Sequence, residues 1–113
     1  MELTVTVQGT CLVVEVLATS VDHTVSREFK AAVLAHYERT GAREILLDLS
    51  RVTFLDSTGI GAIASLRKTA LKRGGRLGLF GLCPQVEKIV RVVTLSLFEI
   101  HSDRQTAVER MCR

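Results

Sequence analysis

The chain has 113 residues, 47% of them hydrophobic, with 15 basic against 12 acidic side chains and a formal net charge of +3. That length and apolar fraction predict one domain, residues 1–113, with a core of its own, and with no Trp, one Tyr and four Phe the core must be aliphatic. The mild basicity, without basic residues interleaved with aromatics, argues against a stacking nucleic-acid binder, and no apolar run has the length of a bilayer span.

The start, Met1-Glu2-Leu3-Thr4, lacks the basic and apolar regions of a secretory leader. Cys11, Cys83 and Cys112 stand far apart, at no metal-clamp spacing. An odd number of cysteines without a leader predicts reduced thiols and a cytoplasmic protein.

In chain order, Leu3 to Val7 alternates at period two, Gln8-Gly9-Thr10 is a turn, and Cys11 to Leu17 is a second strand. Together they predict a β-hairpin. Thr19 to His23 is read as a polar loop. From Thr24, Val25, Phe29, Ala32, Val33 and His36 recur on one helical face, and Gly41 is the stop. Glu44 to Leu49 has the pattern of a buried strand. Val52 to Leu55 is extended and apolar and runs into a second helix, which starts near Ser57 or Thr58 and has Ile60, Ile63, Leu66, Ala70 and Leu71 on one side. Gly74-Gly75 ends it. Arg76 to Phe80 is a strand. Pro84 opens a third helix with Val86, Ile89, Val90 and Val93 inward. Leu97 to His101 is a last strand, and Ser102 or Asp103 caps a final helix through Met111. The order β-β-α-β-α-β-α-β-α predicts an α/β fold: a mixed, mostly parallel sheet with an N-terminal hairpin.

The stretch Leu55-Asp56-Ser57-Thr58-Gly59-Ile60-Gly61 carries the most chemistry. It sets a hydroxyl at the mouth of a helix, where unpaired N–H groups and the positive dipole end would accept a phosphate. The plainer role for Ser57 or Thr58 is an N-cap. Asp22-His23-Thr24 stands at the other helix start. In a parallel sheet such loops gather at one edge, so Asp22 and Ser57 could share a surface, though Asp22 or Thr24 could equally be a cap. Gly59 to Ala64 has the form G-x-G-x-x-A, but its glycines fall inside the helix and Arg76 to Phe80 supplies no acidic residue for a ribose. A nucleotide-binding enzyme is therefore the weakest reading, and the glycines instead suggest close backbone approach. Ser57 stands outside a G-x-S-x-G elbow, and of His23, His36 and His101 only His23 could reach it. Asp56 shows no second carboxylate in sequence, although Asp22 could lie near. Arg67, Lys68, Lys72, Arg73 and Arg76 make a basic stretch that suits a helix C-terminus or an acidic partner.

Val52-Thr53-Phe54-Leu55-Asp56-Ser57-Thr58-Gly59-Ile60-Gly61 resembles the signature of STAS domains, specifically of bacterial anti-sigma-factor antagonists. Val21-Asp22-His23, Ile45 to Leu49, Gly74-Gly75 and Leu77 to Pro84 match that family in order and spacing. The resemblance covers nearly the whole chain. It implies a non-enzymatic partner switch without cofactor or metal. Ser57 matches the serine phosphorylated by an anti-sigma serine/threonine kinase; Thr58, one residue on, is a candidate secondary site by its position alone. The unphosphorylated form binds that kinase, and a serine phosphatase restores it. Asp22, His23, Asp56, Thr58, Gly59 and Ile60 match the partner surface of a monomer or weak dimer that neither contacts nucleic acid nor enters a membrane. Relatives commonly carry Gly-Glu-φ-Asp (φ apolar) before the first helix, and here Thr19-Ser20-Val21-Asp22 stands instead. The family also includes subunits of lipid-transport complexes, stress-sensing assemblies and regulators of secretion or biofilm, so a lipid-transport subunit is the alternative.

Overall fold

The computed structural model describes residues 1–94 and 97–112. The elements in chain order are β1 (Leu3–Gln8), β2 (Cys11–Val16), β3 (Ser20–Val21), α1 (Ser26–Thr40), β4 (Glu44–Asp48), β5 (Phe54–Leu55), α2 (Ser57–Lys72), β6 (Leu77–Phe80), α3 (Pro84–Thr94), β7 (Glu99–His101) and α4 (Arg104–Met111). Five strands form one sheet in the order β1-β2-β4-β6-β7. Only β1–β2 is antiparallel, and β2–β4, β4–β6 and β6–β7 are parallel. This is the α/β architecture expected from the strand–helix alternation, with the hairpin at its start.

Strand alternation divides the sheet into two faces. Leu12, Val14, Val16, Ile45, Leu47, Leu77 and Leu79 join Phe29, Val33, Tyr37, Ile63, Leu66, Val86 and Val90 from α1, α2 and α3 in the main core. Cys11, Val13, Leu46 and Phe80 point the other way and meet Ala107 and Met111 of α4. Tyr37 is buried, yet its hydroxyl donates to the Arg43 carbonyl at 2.7 Å, so its polar end is satisfied.

The structure corrects several sequence expectations. β3 and β5 pair into a small second sheet where a polar loop and a plain extended segment were expected. Strands of two residues carry too little periodicity to be seen. α1 starts at Ser26 rather than Thr24, because Asp22 folds the preceding residues into a turn of their own. Ile89 and Val93 are 37% and 56% exposed instead of inward, and Leu71 is also exposed. Among the described side chains of α3, Val86 and Val90, one helical turn apart, reach the core. The last strand begins at Glu99, with Leu97 exposed. Finally, Cys11 and Cys112 form a disulfide (Cα–Cα 5.2 Å), which leaves Cys83 as the free thiol, against the expectation of three reduced cysteines. The spacing hid this pair because 101 residues separate partners that the fold makes neighbours.

Candidate functional site

The small sheet builds the site. Its register sets Ser20 beside Phe54 and Val21 beside Leu55. Asp22 and Asp56 therefore leave it side by side, each just ahead of a helix. Buried Val21 and Leu55 root the two strands in the core. The Thr19 carbonyl ties them further, accepting from the amides of Thr53 (2.8 Å) and Phe54 (3.3 Å) and from the Thr53 hydroxyl (3.3 Å).

Asp56, not Ser57 or Thr58, is the N-cap of α2. Its extended backbone turns the carboxylate back over the first turn, where Oδ1 accepts from the Gly59 amide at 2.9 Å and the Thr58 hydroxyl at 2.6 Å. Oδ2 reaches across to the other loop, accepting from the His23 amide at 2.9 Å, with the His23 ring Nδ1 3.6 Å away. The Asp56 side chain is 23% exposed and the His23 side chain 75%. The Thr58 hydroxyl and the Gly59 amide, followed by the His23 amide, hold the Asp56 pKa down at about 2 against the opposing effect of desolvation.

Asp22 organises its own loop. Its Oδ1 accepts from the Thr24 amide at 2.9 Å and from the Thr24 hydroxyl. Its carbonyl accepts from the amides of Val25 (3.1 Å) and Ser26 (2.8 Å). The Thr24 bonds lower its pKa as well, against a smaller unfavourable effect of Asp56. Two carboxylates both pushed towards ionisation cannot share a proton as an acid–base dyad, where one member must be raised. The pair is a fixed patch of negative charge.

Ser57 is the first residue of α2 and exposed, and among the described residues its hydroxyl makes no hydrogen bond. Bonds to Asp56 bring His23 and Thr58 together beside Asp22, and Ser57 stands between Asp56 and Thr58 in the chain. Gly59 and Ile60 do not offer side chains to that surface: Ile60 is buried, and Gly59 is pressed against β3. A Cβ at Gly59 would lie 2.2 Å from the Val21 carbonyl oxygen, so only glycine lets α2 start this close. Gly61 has open space before it.

Sequence reasoning missed a shallow groove beside Thr58, about 250 Å³, lined by Ser26, Arg27 and Lys30 of α1 and by Gly61, Ala62 and Ser65 of α2. The three-residue spacing of Arg27 and Lys30 on the polar side of α1 was the available signal. The basic stretch at the other end of α2 is partly engaged within the fold. Arg73 stacks on the Tyr37 ring at 4.6 Å, and Arg76 forks onto Glu99, with Nε donating to Oε2 at 2.7 Å. Among the described residues no group of three or more His, Cys, Asp or Glu could hold a metal, and no helix is long and apolar enough to cross a membrane.

Residues 2–107 match the STAS domain family model. The chain belongs to the STAS domain family. Solved STAS structures have the same fold. An anti-sigma factor antagonist from Mycobacterium paratuberculosis superposes with a TM-score of 0.83 at 21% identity, covering 97% of this chain and 92% of that one. The anti-sigma factor antagonist SpoIIAA in its unphosphorylated form gives 0.80 at 19% identity, covering 96% and 95%. The phosphorylated form of SpoIIAA, a Bacillus cell-fate determinant, gives 0.72 at 18% identity, covering 96% and 98%.

Proposed function

We propose that this STAS chain is an anti-sigma factor antagonist: a one-domain module that works by binding, docks an anti-sigma serine/threonine kinase while Ser57 is unmodified, and lets go when Ser57 is phosphorylated. The observation that carries this reading is the exposed Ser57 hydroxyl, without a hydrogen-bond partner among the described residues, in the first turn of α2 directly after an ionised N-cap. The existence of SpoIIAA structures in unphosphorylated and phosphorylated forms supports it. Asp22, His23, Asp56 and Thr58 form the docking surface, with Gly59 and Ile60 supporting its backbone.

The physical argument has two halves. A phosphate adds about −1.5 to −2 charges at neutral pH. The helix N-terminus stabilises that charge, so the module keeps its fold. A docked partner would instead have to desolvate a dianion beside Asp22 and Asp56, both ionised. Every ~1.4 kcal/mol so lost weakens the complex tenfold. A serine phosphatase resets the switch. The module needs no cofactor, nucleic acid or membrane, acts as a monomer or weak dimer, and belongs in the cytoplasm.

The test pairs phosphosite mass spectrometry on protein from its native cells with binding of the small ATP-binding kinase that the unmodified form retains. Phosphate is expected on Ser57. Ser57→Ala should bind like wild type and take no phosphate, whereas Ser57→Asp should bind at least tenfold more weakly. Equal binding by Ser57→Asp, or phosphate confined to other residues, would overturn the reading.

A further inference from the structure

We propose that α4 is a redox latch: the Cys11–Cys112 disulfide holds the helix on the second face of the sheet, and a dithiol reductant frees it. The non-covalent hold on this helix is thin. α4 has eight residues, too few to persist alone. It buries Ala107 and Met111 and half-buries Val108, over Val13, Leu46 and Phe80. The Met111 sulfur lies against Gly78, 2.4 Å from where a Cβ there would stand. Beneath the same helix the His101 side chain is 8% exposed, and its Nε2 has no hydrogen-bond partner among the described residues. A buried, unsatisfied ring nitrogen disfavours the docked state. Asp103 caps α4 at 2.8 Å through the Thr106 amide, but that bond lies within the helix and adds nothing to its attachment.

The disulfide sits where it can decide the balance. Cys112 is the C-cap of α4, and Cys11 is the first residue of β2, on the face that α4 covers. Cys11 is wholly buried, whereas Cys112 is half-buried. A thiolate of the dithiol therefore attacks the Cys112 sulfur. The S–S bond breaks, and its electron pair leaves on Cys11, which takes up a proton. The reductant's second thiolate then attacks the mixed disulfide and releases Cys112 as a thiol. The two cysteines gain two electrons and two protons, and the dithiol becomes a disulfide. An apolar surrounding disfavours a thiolate at Cys11, so once released it stays protonated as a thiol. Cys83 stands apart, in the main core near Val52, and takes no part.

Hydrogen–deuterium exchange on the full chain, before and after treatment with dithiothreitol, tests the latch, with thiols counted by alkylation and mass. One free thiol is expected before reduction and three after. Amides of residues 104–112 should exchange at least tenfold faster once reduced, while those of 57–72 change by less than twofold. Cys112→Ser should match the reduced protein without reductant. Unchanged protection of 104–112 would overturn the proposal. So would loss of protection throughout the chain, which would make the bond a staple of the whole fold, and so would three free thiols in protein equilibrated with oxidised glutathione.

Discussion

At the scale of single residues, Asp56 and Ser57 are neighbours with opposite duties. Asp56 satisfies the Gly59 and Thr58 donors of its own helix and the His23 amide of the facing loop. Among the described residues the Ser57 hydroxyl has no partner. Ser57→Ala should therefore change unfolding stability by no more than about 0.5 kcal/mol, as surface substitutions away from special features do. Asp56→Ala should clearly lower the urea midpoint, because it removes the cap and the cross-loop bond together. Equal losses for the two variants would mean that Ser57 is part of the scaffold. The sequence made the Asp-Ser pair conspicuous but left its division of labour open, since a hydroxyl and a carboxylate are both good caps and only the backbone turn at Asp56 chooses between them.

The element that matters most is the smallest. β3 and β5 bring Asp22 and Asp56 together through two residue pairs, and Leu55 is the pin that roots them in the core. Leu55→Ala should cost about 2–5 kcal/mol, the range for large-to-small changes in a core. It should also disturb the site, seen as a shift of the His23 amide resonance in an NMR spectrum of the folded variant. A His23 amide unmoved by the substitution would show that the two loops are joined without the small sheet. The long elements were legible: strands with clear alternation, helices with a 3.6-residue period, and Gly41, Gly74-Gly75 and Pro84 as punctuation. Three features were not. Pairs of two-residue strands carry no period, α3 keeps Ile89 and Val93 on an exposed side that hydropathy alone reads as inward, and the Cys11–Cys112 partnership depends on the closed fold.

Over the whole molecule, the shifted groups act in one direction on acid stability. Bonds in the native state lower the pKa values of Asp56, Asp22 and Asp103, and the Arg76 fork lowers that of Glu99. Each such carboxylate stabilises the fold above the ordinary carboxylate pKa, and that stability is lost as pH falls, for Asp56 down to about 2. His101 adds an earlier step. Burial beneath α4 lowers its pKa from 6.5, with Arg110 and Arg76 reinforcing the effect and Glu99 opposing it. The unfolded chain thus takes a proton on this imidazole before the folded one does, and stability falls as pH drops through about 6.5. The acid limb should have two stages, one opening near pH 6.5 and one below about pH 4. Urea midpoints measured from pH 8 to pH 2 should show both. His101→Gln should remove the upper stage and keep the lower, while Asp56→Asn should shallow the lower and leave the upper in place. A wild-type profile flat from pH 7 to pH 5 would mean that His101 is free to protonate where it lies, and that α4 does not shut it away from water.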